Sequence, residues 1–346
     1  MRFRLIMLSL IITLVSCSRA MQSETEFMLG TICSITLFDH GKPQVYRDIF
    51  NRLREIEGRM STNIVGTDID RVNKAAGVSA VEVHSDVFDV IEQAYFYAEL
   101  SGAAFDPTVG PLVSLWGINS ESPRVPLPEE IENILPLLNW QNMELDRNSY
   151  SVFLKKTGMA LDLGAIAKGY AADEVSAIIK KAGIPRAIID LGGNVVLVGE
   201  KKDKSLWKVG IQNPLESRGN YIGIVQTGEK SVVTSGVYER YFEKDGLRYH
   251  HIFSPMDGYP VWNELLSVTI IADRSIDADA VSTSAFVLGY EKGSSLVESL
   301  GGVDAVFICA DKSVYLTGGV DFTLSDTNYR IEVVQPKEAR IASPQW

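Results

Sequence analysis

The chain has 346 residues, of which 46% are hydrophobic and 22% are charged. This length and composition allow a large buried core, which excludes a disordered protein, a small disulfide-stapled scaffold and a fibrous repeat. Lys and Arg number 33 against 44 Asp and Glu, a formal net charge of -11 with no long basic run, so binding of nucleic acid is not expected.

The N-terminus has the pattern of a secretion signal. Two arginines precede an apolar run over residues 5–15, which is too short for a transmembrane helix but typical of a signal-peptide core. The run leads into Leu-Val-Ser-Cys17, which resembles the signal box of bacterial lipoproteins. We therefore expect residues 1–16 to be removed, Cys17 to be acylated and residues 17–26 to form a lipidated tether. An uncleaved anchor or a plain secretory peptide is the alternative.

Hydrophobic periodicity predicts helices and strands in mixed order over the rest of the chain. The predicted helices cover residues 43–60, 86–101, 165–181, 279–289 and 294–300. The predicted strands cover residues 29–38, 187–198 with a break at two glycines, 207–212, 222–226, 232–234, 248–253, 266–272, 305–309 and 314–316. Residues 120–136 are predicted to be a surface excursion with a short helix, and residues 141–156 a hairpin.

This order of elements favours an α+β fold with mixed sheets and packed helices, because strict β-α-β alternation is missing. No linker divides the chain, so we expect one catalytic domain over residues 27–335 and a tail over residues 336–346. Cys33 and Cys309 lie in apolar runs, where two buried thiols and a disulfide are equally compatible with the sequence.

Clusters of Gly, Asp and Thr lie at several predicted turns. They occur at residues 105–110, 162–165, 190–194, 234–236 and 251–258. Glycine lets backbone N–H groups approach a polyphosphate, and a helix N-terminus adds its positive end. A dinucleotide fingerprint and a P-loop are both missing, since Lys168 precedes the second glycine of its cluster. Each cluster alone is typical of an ordinary turn, but several together favour a phosphate-containing ligand.

Residues 278–283 form a candidate metal site. On a helix, Asp279 and Thr283 share one face with Ser282 beside them, which brings together a carboxylate and two hydroxyls. Such oxygen ligands suit Mg²⁺, whereas the spacing of the cysteines and histidines excludes a zinc site. The alternative is that Asp279 caps its helix and Thr283 packs in the core. Asp162, which precedes the helix of Lys168, likewise either caps that helix or binds a ligand.

Two adjacent histidines, His250 and His251, end a predicted strand just before a proline-containing turn. A histidine in this place suits a general base whose pKa lies near neutrality. A structural surface histidine is the alternative interpretation.

Taken in chain order, these segments resemble the ApbE family of FAD:protein FMN transferases over residues 29–289. The matching segments are Leu29-Gly30-Thr31, residues 105–113 with Trp116-Gly117, residues 161–170, Asn194 after Gly192-Gly193, residues 234–238, and Ala278-Asp279-Ala280 with Thr283. The resemblance implies a Mg²⁺-dependent transfer of FMN from FAD to a Thr or Ser hydroxyl, with AMP leaving. The implied acceptor is an exported flavoprotein subunit of a membrane redox complex.

The resemblance also implies roles for individual residues. The FAD site would comprise Leu29, Asn63, Ala104, Phe105, Asp106, Asp162, Lys168, Gly193, Thr234, Ser235 and Phe253. The metal would be held by Asp279, Ser282, Thr283 and the backbone carbonyl of Ala165, and His251 would deprotonate the acceptor hydroxyl. With the lipoprotein signal, the enzyme is expected to face the periplasm on a lipid anchor, with the inner membrane favoured.

The sequence departs from the family pattern at three positions. Asn63 stands where the family commonly has a Tyr that stacks on the flavin, and Ser254 and Asp257 replace an Asp and a Thr of the turn after the histidine. If those side chains orient the base or the acceptor, water competes better, so a Mg²⁺-dependent FAD pyrophosphatase that yields FMN and AMP is the alternative. A non-catalytic flavin-binding lipoprotein is the alternative from another class, and it would need no metal.

Overall fold

The computed structural model describes residues 22–38 and 42–333, which contain helices, short 3₁₀ turns and strands. The helices are α1 (Pro43–Met60), α2 (Asp68–Lys74), α3 (Ser85–Leu100), α4 (Gly110–Trp116), α5 (Pro128–Ile134), α6 (Ala167–Lys181) and α7 (Ser275–Ser299), with 3₁₀ turns at Leu135–Leu137 and Trp140–Asn142. The strands are β1 (Gln22–Met28), β2 (Thr31–Leu37), β3 (Val81–Glu82), β4 (Met143–Asp146), β5 (Ser151–Leu154), β6 (Ala187–Leu191), β7 (Asn194–Val198), β8 (Trp207–Gln212), β9 (Tyr221–Thr227), β10 (Ser231–Gly236), β11 (Tyr241–Lys244), β12 (Leu247–His250), β13 (Leu265–Ala272), β14 (Asp304–Cys309), β15 (Ser313–Leu316), β16 (Asp321–Leu324) and β17 (Arg330–Val333).

A nine-stranded sheet forms the centre of the protein, in the order β1-β2-β6-β7-β10-β13-β14-β15-β17. Its neighbouring strands are antiparallel except for β15 and β17, which are parallel. Because side chains alternate along β10, Val233 joins the core under the helices, whereas Val232 joins a second core that includes residues of the three-stranded sheet β16-β9-β8. The predicted α+β class with mixed sheets is confirmed by this architecture.

Several predicted boundaries need correction. The two helices predicted over residues 279–300 are one helix, α7, with a break at Gly289, whose φ of 75° interrupts the helical dihedrals. The strand predicted over residues 248–253 ends at His250. The His251 amide still bonds to the carbonyl of Arg240 in the register of the β11–β12 pair, but Phe253 pairs with Pro260 in an isolated bridge. The tether predicted over residues 17–26 overlaps β1, so residues 22–26 belong to the folded body.

The predicted signal peptide, Cys17 and the predicted tail lie outside the described residues. Within residues 22–38 and 42–333, no helix combines the length and the apolar content needed to cross a bilayer.

The two cysteines of the folded body are free and buried. Cys33 lies on β2 and Cys309 on β14, five strand spacings apart in the central sheet. At about 4.8 Å per spacing the thiols are too distant for a disulfide, so the disulfide alternative is wrong.

Helices α6 and α7 cross at Gly169, on the helix-covered face of the sheet. A Cβ atom at this position would lie 2.7 Å from the Cα of Ile276 and 2.8 Å from the Cβ of Asp279. Only glycine therefore allows the two helix backbones to approach this closely. By contrast, Gly58 in α1 is exposed, and a Cβ there would meet no atom within 4 Å.

Substitution of Gly169 by Ala should destabilise the protein by about 1–3 kcal/mol, because the added methyl group forces the packed helices apart. The matched change Gly58→Ala should leave the free energy of unfolding unchanged or raise it by about 0.4–1 kcal/mol, because it reduces the entropy of the unfolded chain. Urea denaturation of both variants tests this difference. Equal effects of the two changes would contradict the close crossing.

Candidate active site

Two glycine turns pack together at one end of the sheet. Leu29 and Gly30 connect β1 to β2 with φ values of 53° and 66°, and the Leu29 amide donates to Oε1 of Glu57 at 2.8 Å. The turn between β6 and β7 lies beside them, since a Cβ at Gly192 would come 2.7 Å from Cγ2 of Thr31. The fold thus brings the predicted residues Leu29 and Gly193 to the same edge.

Arg240 connects these turns to the predicted base. One guanidinium nitrogen, Nη2, donates to the carbonyl of Gly30 at 3.1 Å. The backbone carbonyl of Arg240 accepts the amide N–H of His251 at 3.1 Å and lies 3.2 Å from its Nδ1. Because a carbonyl only accepts, Nδ1 carries the ring proton and Nε2 keeps a free lone pair.

The environment of His251 keeps its imidazole neutral. Burial, together with the nearby charge of Arg240, lowers the pKa of His251 to about 3. At physiological pH the ring is therefore neutral, with Nε2 as the atom available to accept a proton. The expectation of a pKa near neutrality is wrong for His251, because burial and the charge of Arg240 disfavour the imidazolium.

The segment after α3 pairs with the segment that precedes α6. The Asp162 amide donates to the carbonyl of Pro107 at 2.9 Å. Asp106 shapes its own turn, since its Oδ1 accepts from the amide and the hydroxyl of Thr108 at 2.8 and 2.6 Å. Ala104 and Phe105 are buried beside it. Four predicted FAD residues are thus held near one another by a turn and a backbone contact.

The Asp162 carboxylate does not cap α6. Its Oδ1 accepts the amide of Gly164 at 2.7 Å, whereas α6 begins only at Ala167, so the capping alternative is wrong. Burial raises the pKa of Asp162, while the charges of Arg240 and Lys168 lower it. Asp162 therefore lies near both cations, Arg240 and Lys168.

Phe253 is buried in a separate aromatic cluster. Its ring centroid lies 5.8 Å from that of Trp116 in α4. The indole Nε1 of Trp116 donates to the carbonyl of Gly258 at 2.9 Å. These contacts fasten the turn that follows His251 to α4, and so fix the base relative to the turn that contains Asp106.

The candidate metal ligands lie on α7 where it meets α6 and β10. Asp279 is 4% exposed, and its Oδ2 accepts the amide of Gly169 at 2.8 Å while Nζ of Lys168 lies 3.5 Å from Oδ1. The hydroxyl of Ser235 lies 2.8 Å from that of Ser282 and 3.4 Å from that of Thr283. Since α7 begins at Ser275, Asp279 is in its second turn and the helix-cap alternative is wrong.

The start of α6 supplies a further oxygen. In a regular helix the amide of Gly169 would bond to the carbonyl of Ala165, four residues earlier. Here that amide donates to Asp279 instead, and α6 begins after Ala165, so this carbonyl lies outside the helical ladder. A single carboxylate with hydroxyls and a carbonyl fits Mg²⁺, which keeps several waters and binds substrate phosphates. In the described part of the chain no cluster of three His, Cys, Asp or Glu side chains could hold a metal.

Two of the predicted FAD residues lie apart from these contacts. Asn63 is exposed in the loop after α1, where its amide donates to the hydroxyl of Ser61 at 3.1 Å. The hydroxyl of Thr234 lies 2.8 Å from that of Thr269, and alternation along β10 places it on the face of the sheet opposite Ser235. Thr234 therefore does not share a face with the candidate metal ligands.

Known proteins are similar to this chain over most of its length. The family model described as "ApbE family" matches residues 29–307. The chain belongs to the ApbE family. It is 37% identical over 311 residues to the FAD:protein FMN transferase of Klebsiella pneumoniae, covering 89% of this chain and 96% of that protein. It is 36% identical over 315 residues to the FAD:protein FMN transferase of Treponema pallidum, covering 86% and 87%.

Solved structures of ApbE proteins share the fold. The ApbE protein of Thermotoga maritima matches with a TM-score of 0.77 and 32% identity, over 89% of this chain and 97% of that one. The flavin transferase ApbE of Vibrio cholerae matches with a TM-score of 0.75 and 25% identity, over 89% and 98%. This ApbE-family chain is accordingly an enzyme of the transferase class.

Arg240 is a residue of the ApbE-family site that the sequence analysis missed. It lies outside the glycine clusters, and its contact with Gly30 joins positions 210 residues apart. A single cation in a strand-forming segment gives no signal of such a contact. Only the fold places its carbonyl against His251.

The neighbouring histidine, His250, has a structural role in this turn. It is 4% exposed, its Nε2 donates to the carbonyl of Val261 at 2.9 Å, and its Nδ1 accepts the amide of Ile252 at 3.3 Å. Burial lowers its pKa from 6.5 to about 4. A neutral ring therefore ties the end of β12 to the far side of the turn.

This burial makes His250 a source of acid sensitivity. As the pH falls below about 6.5 the unfolded chain protonates at this ring while the folded chain does not, so unfolding becomes more favourable. Between about pH 7 and pH 5 the contribution is on the order of 2 kcal/mol. Urea denaturation should therefore show that His250→Gln loses less stability over this interval than the wild type does. Equal losses of stability in the two proteins over this interval would contradict this role of His250.

Proposed function

We propose that the protein is a Mg²⁺-dependent FAD:protein FMN transferase, anchored by a lipid on Cys17 and facing the periplasm, with the inner membrane favoured. It moves FMN from FAD to a Thr or Ser hydroxyl of an exported flavoprotein subunit of a membrane redox complex. The observation that carries the proposal is the convergence of a neutral base, two cations and an oxygen-donor group at one end of the sheet. The names of the related transferases support it.

His251 supplies the base of the proposed reaction. Nε2 accepts the proton of the acceptor hydroxyl as its oxygen attacks the phosphorus of the FMN half. The bond from that phosphorus to the bridging oxygen then breaks, and AMP leaves with the electron pair. Because Arg240 fixes the ring through Nδ1, Nε2 is ready to accept the proton without a change of tautomer.

The two cations and the proposed oxygen ligands act on the diphosphate of FAD. Lys168 and Arg240 place positive charge near Asp162 and His251, in a protein that is otherwise acidic. Asp279, Ser282, Thr283 and the Ala165 carbonyl would hold Mg²⁺, which when bound neutralises charge on the pyrophosphate. These groups orient the diphosphate so that the acceptor oxygen and the leaving AMP lie on opposite sides of the reacting phosphorus.

FAD hydrolysis at the same site is the second candidate, and one observation favours it. Asn63, which replaces the family's flavin-stacking Tyr, is an exposed polar side chain, so water has access where an aromatic ring would exclude it. A pure flavin-binding protein is less favoured, because Asp279, Ser282 and Thr283 form a set of oxygen ligands that a protein binding FAD without a metal would not need.

Incubation with FAD and Mg²⁺ distinguishes the two reactions. Covalent FMN on a co-expressed acceptor, seen by mass spectrometry as an adduct on Thr or Ser, supports transfer. Release of AMP and free FMN without an acceptor supports hydrolysis. Binding of FAD with no product in either assay would contradict an enzymatic function.

Substitution of His251 by Ala should lower the rate of transfer by about 10²- to 10⁴-fold, because the acceptor hydroxyl loses its base. FAD binding, measured by flavin fluorescence, should change little. His84→Ala is the matched control, since His84 pairs with Asp68 away from the site and should leave the rate unchanged. A wild-type rate in the His251 variant would refute the base assignment.

Substitution of Asp279 by Ala should abolish both transfer and hydrolysis together with Mn²⁺ binding, because it removes the only carboxylate of the proposed ligand set. Activity assays and electron paramagnetic resonance of Mn²⁺ measure the two effects. If both activities persist, the metal assignment is wrong.

The lipid anchor is tested at Cys17. In cells fed labelled palmitate, the wild-type protein should take up label and partition into detergent, whereas Cys17→Ala should do neither, because acylation needs the thiol. Equal labelling of the two proteins would exclude this anchor.

A further inference from the structure

The first turn of α7 is held by a side chain from another helix. The first amides of a helix have no partner within it and are usually bonded by the residue that precedes the helix. That residue here is Arg274, whose side chain makes no such bond. Instead, Oδ1 of Asp173 in α6 accepts the amide of Ser275 at 2.8 Å, and Oδ2 accepts that of Ile276 at 2.9 Å.

A second bond joins the same two helices one turn away. Gly169 lies four residues before Asp173 on α6, and its amide donates to Oδ2 of Asp279, four residues after Ser275 on α7. Helix α6 therefore holds α7 at two successive levels, first through the Asp173 carboxylate and then through the Gly169 amide. To slide or rotate against α6, helix α7 would have to break at least one of these hydrogen bonds.

The proposed metal ligands are divided between these two helices. The carbonyl of Ala165 belongs to the start of α6, whereas Asp279 and Thr283 belong to α7. Mg²⁺ demands near-ideal octahedral geometry with short bonds of about 2.0–2.1 Å. A small shift of one helix against the other would therefore separate the two halves of the ligand set.

We propose that Asp173 is a positioning residue for the metal site, which fastens the first turn of α7 to α6 and so fixes Asp279 opposite the Ala165 carbonyl. The inference rests on the metal assignment made under Proposed function. Asp173 itself contacts neither the metal ligands nor the substrate; it acts through the two amides of α7.

The chain offers a matched control for this role. Asp277 lies in the same first turn of α7, is half-buried like Asp173, and bonds to the hydroxyl of Tyr97. Its carboxylate contributes the same charge to the same helix end, but it does not hold the amides of Ser275 and Ile276. Asp277→Asn therefore removes the charge without removing the link between the helices.

The test measures Mn²⁺ affinity of the full mature chain by electron paramagnetic resonance, without FAD. Asp173→Asn should weaken binding on the order of 10-fold, the effect typical of partners that orient metal ligands. Asp277→Asn should stay within about twofold of the wild type, and Asp279→Ala should abolish binding. Asp173→Ala, which removes both acceptors of the α7 amides, should weaken binding at least as much as Asp173→Asn, whose side-chain amide keeps one of them.

The results of these measurements distinguish a failure of the inference from a failure of the proposed function. If Asp279→Ala abolishes binding but Asp173→Asn binds like the wild type, the positioning role is wrong and the metal assignment stands. If Asp277→Asn weakens binding as much as Asp173→Asn does, the effect is one of charge and the inference is also overturned. If Asp279→Ala binds Mn²⁺ normally, the metal assignment itself fails. Circular dichroism of each variant gives the folded fraction, and affinity is compared per folded molecule, with Asp173→Asn as the milder change.

Discussion

The hydrogen bond from the Gly169 amide to Asp279 is the contact on which the site depends. The Asp279 carboxylate is 4% exposed and needs hydrogen-bond donors in place of water, and this amide together with the Lys168 ammonium supplies them. The bond forms only because Gly169 has no side chain to hold the helices apart. It also takes the amide out of α6 and so leaves the Ala165 carbonyl for another partner. One glycine thus couples the packing of two helices, the hydrogen bonding of a buried carboxylate and the proposed ligand set.

The central sheet brings the other half of the site to the same end of the protein. The β1–β2 and β6–β7 turns meet at Thr31, and Arg240 bridges from the first of these turns to His251. Two cations, Arg240 and Lys168, therefore lie near the carboxylate of Asp162 in a chain whose net charge is -11. Local positive charge, rather than the overall charge, decides whether a diphosphate binds here.

Sequence periodicity predicted the elements whose apolar faces are buried, such as α1 and the β6–β7 pair, because burial imposes the pattern. It missed β1, whose side chains are largely exposed at the edge of the sheet and so carry no apolar alternation. Local motifs indicated Asp279, because Ser282 and Thr283 follow it at helical spacing, and His251, because its segment resembles the family pattern. The contacts of Arg240 and Asp173 could not be predicted, since they join residues 210 and 102 positions apart that only the fold brings together. The sequence also could not show that Thr234 and Ser235 lie on opposite faces of the sheet. Only the fold shows which of these faces α7 covers.

The choice between transfer and hydrolysis lies on the acceptor side of His251. On the phosphate side, the residues that match the family pattern, Lys168 and Asp279, are held by direct bonds within the fold. The departures from that pattern, Asn63, Ser254 and Asp257, belong to exposed or partly exposed loop positions. A neutral Nε2 accepts a proton from water as readily as from a Thr hydroxyl, so the base cannot discriminate between them. Selectivity must then come from how completely a docked acceptor excludes water from these loops, and not from the metal or the diphosphate.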